Sequence, residues 1–360
     1  MAPKTFSDLE TRWDSFYTPT FAISVDGGAT FSTAQGRVSS VSVRTAIDRA
    51  NRVSFSVAGV YDPSAGDFTG LADAGLTEGS GLTVRLGYGS DPELVMTGEI
   101  TAVKPNFPDG GPPTVDVVGH DYRYAMSQSS GDESWDESSV TAATRSIANR
   151  YGFRRVDIGS GGPGGQGASD LELERLVKDA TSDFDFLTAL TERFDYEMFS
   201  EAGVLRFRRP TRPASPTVAL TYGRGLRSFQ PGSRSGKSNV GTVEHRGVNH
   251  YTGESVSGSS QRADGDGEKL LMKAAMESDT EAQRRSAAQS TALDRERRST
   301  ATTLGLPDLR IGEWVHLDGL GSVGGQSFDG PYYLLEVDHT LGESGYTTNA
   351  TLTGPRTEQQ

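Results

Sequence analysis

The sequence predicts a mainly β protein with an α+β middle, arranged as two antiparallel β-barrels flanking a small α/β domain. Three observations carry that expectation. Apolar residues alternate with period two across Phe21 to Val118 and again across the closing stretch from Trp314 to Leu352. Between these stretches the spacing becomes helical from about residue 127. Glycine, at 44 copies among 360 residues, punctuates short segments in the manner of turns rather than long helices.

The boundaries that follow are an N-terminal arm over 1–17, a first barrel over 18–126, an α/β domain of two helices and a hairpin over 127–213, and a second barrel over 214–356. In the arm, Ser7 precedes Glu10 at capping-box spacing, so a short helix is expected from Ser7, with Trp13, Phe16 and Tyr17 as anchors. The first barrel opens with Phe21, Ile23 and Val25 and the turn Asp26-Gly27-Gly28. Its further strands read Val38/Val41/Val43, Val53/Phe55/Val57, Leu82/Val84/Leu86/Tyr88, Leu94/Met96/Ile100 and Val115/Val117.

In the middle region Ser139 caps a helix with Val140, Ala143 and Ile147 on one face. Ser182 or Asp183 caps a second helix that presents Phe186, Leu187, Leu190 and Phe194. A hairpin then turns at Glu201-Ala202-Gly203. Arg206, Arg208, Arg209 and Arg212 form a basic cluster, read as a solvated strand end or as a contact for an acidic neighbour. In the second barrel, residues 257–267 read as loop and 268–300 as one long helix, since that span lacks Gly and Pro and is rich in Ala, Glu, Gln and Arg. Its apolar face is thin.

Composition narrows the chemistry. A net charge of −13 argues against a broad grip on a nucleic-acid backbone, and no specific nucleic-acid site is read. No run approaches the roughly 18 apolar residues of a membrane span, so no stable membrane insertion is expected. The N-terminus carries no signal-peptide pattern. The absence of cysteine excludes disulfides and thiolate ligands. The five histidines (His120, His245, His250, His316 and His339) show no metal-site spacing, and the Gly-rich run 159–167 lacks the Lys-Ser/Thr of a phosphate-binding loop. No catalytic, cofactor-binding or metal residue is assigned.

Several motifs in order carry a resemblance. Gly98-Glu99-Ile100 and Gly119-His120-Asp121 lie in the first barrel; Asp183 to Leu190, including Phe186 and Leu187, forms a helix, and Tyr196, Gly203, Leu205 and Phe207 a hairpin. Tyr222-Gly223 opens the second barrel. Gly312, Trp314, His316, Gly319, Asp329, Gly330, Tyr332, Tyr333, Val337, His339, Gly345, Tyr346, Thr347, Thr348 and Leu352 close it. This series is similar to the phage late control gene D family, the central baseplate hubs of contractile tails and the hub part of type VI secretion spike proteins. The resemblance implies that the barrels are tail-tube-like and that the chain is a non-enzymatic homotrimer, adapting a hexameric tail tube protein to a separate three-fold spike protein. It implies further baseplate proteins as partners, and a lumen through which a tape-measure protein passes. It also implies assembly in the host cytoplasm and residence in a virion tail baseplate or an extracellular phage-like injection particle. Two other readings stand beside it: a carbohydrate-binding β-sandwich stacking sugars on Trp13, Trp135 and Trp314, and a tail-associated cell-wall hydrolase.

Overall fold

The computed structural model describes residues 2–28, 30–69, 71, 75–159, 172–210, 216–232, 240–249, 251–262, 267–324 and 326–354. The arm forms α1 (Phe6–Arg12), and its cap is Thr5 rather than Ser7. The Thr5 hydroxyl accepts the Asp8 N–H and the Asp8 carboxylate accepts the Thr5 N–H at 2.8 Å, so the capping box lies two residues before the expected one.

The first barrel unit contains β1 (Pro19–Val25), β2 (Thr30–Ser32), β3 (Val38–Ala46), β4 (Arg52–Ala58), β5 (Gly81–Tyr88), β6 (Glu93–Asn106) and β7 (Thr114–His120), all antiparallel in the order β3-β4-β7-β6-β5-β1-β2. Period-two patterning does what it predicts: Phe21, Ile23 and Val25 on β1, and Val53, Phe55 and Val57 on β4, all point into one core.

The middle region contains α2 (Tyr122–Ser127), β8 (Glu133–Ser139), α3 (Val140–Ala148), β9 (Arg155–Gly159), β10 (Glu172–Lys178), α4 (Asp183–Phe194), β11 (Glu197–Glu201) and β12 (Val204–Arg208). The expected caps hold: Ser139 accepts the Ala142 N–H and Ser182 the Asp185 N–H. The hairpin β11–β12 turns at Ala202 and Gly203, both at positive φ, and β9 lies parallel beside β12. A separate core forms here from Val140, Ile147, Phe186, Leu187, Leu190, Phe194, Leu205 and Phe207. Strands β8 and β10, which pair with each other, and the short helix α2 are additions to the expected helix-helix-hairpin. Apart from Gly159, the Gly-rich run lies outside the described residues, as does Arg212.

The rest of the chain forms β13 (Val218–Tyr222), β14 (Gly225–Gln230), β15 (Val240–Val248), β16 (Ser255–Gln261), β17 (Glu268–Lys273), α5 (Asp279–Arg295), β18 (Arg298–Leu304), β19 (Trp314–Asp318), β20 (Ser322–Val323), β21 (Gln326–Ser327), β22 (Gly330–Gly342) and β23 (Gly345–Thr353). The long helix near 268–300 is corrected. Glu268–Lys273 is a strand parallel to β15, and the helix begins only after Ser278, whose hydroxyl accepts the Glu281 N–H. Of the stretch read as loop over 257–267, residues 257–261 belong to strand β16, which pairs with β15 over seven residue positions, and 263–266 lie outside the described residues. Helix α5 packs on this three-stranded layer, with Ala282 against Met276 and Val256.

Strands β19-β13-β14-β18-β23-β22 close on themselves through β22–β19, making a six-stranded barrel. Its pairings are antiparallel except those of β13, which runs parallel to β14 and β19. The first unit repeats this order. In chain order β1, β3, β4, β5, β6 and β7 correspond to β13, β14, β18, β19, β22 and β23, and the neighbour relations among these six recur in the second unit, except that β1 runs antiparallel to β5 where β13 runs parallel to β19; β2 has no counterpart. The two units are joined edge to edge: Glu336–Leu341 of β22 pairs antiparallel with Val41–Ala46 of β3. Thus two β-barrel units flank a small α/β domain, as the sequence predicts, while sharing one 13-stranded sheet and one apolar core.

Candidate functional site: buried junctions and open strand edges

Among the described residues no helix is long and apolar enough to cross a membrane, and no three His, Cys, Asp or Glu side chains cluster as metal ligands. The chemistry on display is that of junctions between the three parts of the chain.

The first junction centres on Arg123, which is fully buried. Asp121 caps α2 and accepts from the Arg123 backbone N–H at 3.0 Å, from its Nε at 3.0 Å, and from the Asn51 N–H at 3.1 Å. The guanidinium also donates to the Asn51 side-chain oxygen at 2.7 Å and to the carbonyls of Ala46, Ile47 and Met198. Asn51 in turn donates to the Ser200 carbonyl at 2.7 Å. One buried cation therefore ties the β3–β4 turn of the first barrel to β11 of the α/β domain, with its charge paired and its donors used.

The second junction centres on Glu197, buried on β11. It accepts Arg208 Nε at 3.1 Å, Arg295 Nη2 at 2.9 Å and the Tyr333 hydroxyl at 2.6 Å. These partners come from β12, α5 and β22, so a single carboxylate holds the α/β domain, the inserted helix and the second barrel together. Burial first, and then the Glu197 charge, push the Tyr333 phenol well above its ordinary value, so it stays protonated as a donor. A third contact is Arg193 Nη2 on α4 with the fully buried Glu281 of α5 at 2.7 Å. The N-terminal arm is held by Asp308, whose buried carboxylate accepts Lys4 Nζ at 2.6 Å, Arg12 Nη1 at 2.9 Å and Trp13 Nε1 at 2.6 Å. The arm thus packs on its own second barrel, where Lys4 also bridges Val218.

The motif residues occupy spacing and packing positions within this frame. A Cβ at Gly98 would collide with the His120 carbonyl oxygen, so its lack of a side chain sets how closely β6 and the end of β7 approach. Gly203, at φ +81°, brings the β11–β12 turn against Thr97, and Gly312, at φ +77°, admits the Phe199 ring and Arg208. Asp121 is the acceptor described above; Phe186 and Leu187 lie in the α/β core. Tyr222 is 56% exposed beside Gly223 on the barrel surface. Asp329 accepts the Leu320 N–H at 2.7 Å, holding the turn before Gly330, and the buried Tyr332 donates to the Phe328 carbonyl at 2.8 Å. Thr347 pairs across β22 and β18 with Thr340 and Leu304. His339 is buried, and its Nδ1 lies 3.0 Å from the Thr348 hydroxyl and 3.1 Å from that of Tyr346. Burial, followed by the charge of Arg310, lowers its pKa to about 4, so the ring is a neutral hydrogen-bonding member of the core.

The sequence did not single out Arg123, Asn51, Glu197 or Asp308. Nothing in their local pattern marks burial, which is imposed by partners far along the chain. Two members of the basic cluster form ion pairs within the chain, Arg206 with Glu201 and Asp157, and Arg208 with Glu197. The tryptophans proposed for sugar stacking are otherwise engaged. Trp13 and Trp314 are buried, and Trp135 stacks on Phe186 with ring centroids 5.4 Å apart.

The architecture is that of solved tail proteins. A tail protein from Neisseria meningitidis MC58 has a TM-score of 0.69 at 13% identity, covering 94% of this chain and 97% of that one. The 43 kDa tail protein of prophage MuSo2 from Shewanella oneidensis gives 0.68 at 12% identity, with coverage of 93% and 98%. A component of the E. coli type VI secretion system, described as structurally similar to T4 bacteriophage tail proteins, gives 0.54 at 11% identity, with coverage of 89% and 76%. At these identities the likeness is one of fold. No curated protein matches the sequence. The chain belongs to the family described as the Alg8 N-terminal domain, whose model matches residues 16–343; this is the family shown, rather than the late control gene D family that the order of motifs resembles.

Proposed function

We propose that this chain is the structural hub of a phage-like contractile-tail baseplate, a homotrimer whose six barrels form a ring between a hexameric tail tube and a three-fold spike. The observation that carries the reading is the repetition of one strand order in two barrels joined edge to edge through β3 and β22. Such a chain offers two quasi-equivalent units per copy, which is what a three-fold assembly needs in order to meet a six-fold one. The fold shared over nearly the whole chain with solved tail proteins supports the same reading, as does the resemblance to late control gene D proteins.

The work of such a hub is mechanical rather than catalytic: the buried junctions at Arg123 and Glu197 hold the α/β domain in register with both barrels. The tail tube protein, a separate spike protein and other baseplate proteins would be its partners, with a tape-measure protein in the lumen. Its place would be a virion tail baseplate or an extracellular injection particle assembled in the host cytoplasm. Light scattering on the purified chain, alone and with its tube and spike partners, tests the proposal. A species near three times 38.4 kDa is expected; a strict monomer at low and molar salt, with and without partners, overturns it.

A further inference from the structure

Arg206 and Arg208 are engaged by Asp157, Glu201 and Glu197, but Arg209 of the same cluster makes no ion pair among the described residues. Its Nε is buried and meets no hydrogen-bond acceptor among the described residues. Just past β12, this residue lines a surface cavity of about 490 Å³ that it shares with β16 and one side of α5. Arg284, buried on α5, lines the same cavity, with its guanidinium 5.8 Å from the centroid of the Tyr196 ring. Ser257 and Thr280 bring hydroxyls to the wall, and the exposure of Ser257, Thr280 and Gln283 opens it to solvent.

Charge is out of balance here. The acid that offsets Arg209 is Asp195, which is shared with Arg284 and Arg295. Arg295 is already paired with Glu197 at 2.9 Å, and Asp195 accepts the Thr291 hydroxyl at 2.9 Å. Asp279, the carboxylate on the cavity wall, accepts the Ser257 N–H at 2.8 Å. Arg209 and Arg284 thus divide one buried acid between them, in a chain whose net charge is −13. Burial first, and then the Arg284 charge, lower the Arg209 pKa, so the fold holds this cation at a cost it does not itself offset.

We infer that Arg209 and Arg284 form an oxyanion site, taking a phosphate or carboxylate group into this cavity. A guanidinium is a planar fork that matches two oxygens of such a group, and the incoming anion supplies the missing counter-charge. The cavity has the size of a small-ligand site, and its polar wall suits a charged occupant rather than an apolar one. The group can come from two sources: a free phosphate or dicarboxylate, or the acidic side chain of a second copy of this chain. The site rests on the cavity and its charges, not on the three-copy reading above.

The test is the thermal melting of the full chain in chloride and in inorganic phosphate or succinate at equal ionic strength. Phosphate stabilises proteins generally by exclusion from their surface, so the reading is the difference between the parent and variants that lack the site. Arg209→Gln removes a charge that the fold disfavours. Thr280→Glu puts a carboxylate on the cavity wall in the first turn of α5, where acids are favourable, so both variants are expected to fold. At about ten times the dissociation constant, the anion is expected to raise the parent Tm by about 2 °C more than that of either variant. Light scattering on the same samples separates the two sources. A selective rise in Tm at unchanged mass assigns a free anion. A selective fall in mass on adding the anion, with both variants already smaller in chloride, assigns the side chain of a second copy. Equal responses of parent and variants in both readings overturn the site. A monomeric chain that shows the selective rise keeps it, whatever becomes of the three-copy reading.

Discussion

Tyr333 on β22 donates its phenol to Glu197 on β11 across 136 positions of sequence, and both side chains are buried. Removing the carboxylate strands two arginines, so Glu197→Ala is expected to cost about 3–5 kcal/mol. Tyr333→Phe leaves Glu197 its two cationic donors and is expected to cost about 1–3 kcal/mol. Urea unfolding of the two variants should rank them in that order; equal midpoints would contradict the central role of the carboxylate.

Arg123 fixes the first barrel to the α/β domain. Arg123→Met keeps the length of the side chain but leaves the Asp121 carboxylate buried without its cation, at an expected cost of about 3–5 kcal/mol. Hydrogen exchange should then quicken first at β11 and the β3–β4 turn. Uniform exchange across the whole chain would assign Arg123 no local role.

His339 makes stability depend on pH. Its folded pKa of about 4 lies below the ordinary value of 6.5, so between those limits the unfolded chain binds the proton more readily. The contribution is therefore present above pH 6.5, falls as the pH drops through the window, and is lost below pH 4. Fully developed it amounts to about 3 kcal/mol, at roughly 1.4 kcal/mol per pKa unit. Denaturant titrations at pH 7 and pH 5 should show a steeper acid loss in the native chain than in His339→Gln.

Asp308 holds the arm. Asp308→Ala removes the acceptor of Lys4, Arg12 and Trp13, and trypsin is expected to cut after Arg12 faster in the variant than in the parent. Unchanged cleavage would mean that the packing of Leu9, Trp13 and Phe6 alone retains the arm.

How much of this was legible follows from the range of each interaction. The barrel strands were, because alternation is a local property and one buried face enforces it. The caps at Ser139 and Ser182 were legible for the same reason. Glu268–Lys273 was not: Leu270, Leu271 and Met272 favour a helix locally, and pairing with β15 overrides that preference. Strand β8, with Trp135 as its main apolar residue, has too little alternation to be seen. The least legible features were the buried charges, since the burial of Arg123 depends on Ala46, Asn51 and Met198, and that of Glu197 on Arg295 and Tyr333.

The seam between β22 and β3 has a consequence for load. Interstrand hydrogen bonds run perpendicular to the strands, so a force directed along β22 shears the pairs from Glu336–Ala46 to Leu341–Val41 together rather than peeling them one after another. A load applied along those strands would meet a joint that yields all at once, so the two barrels would respond to it as one body.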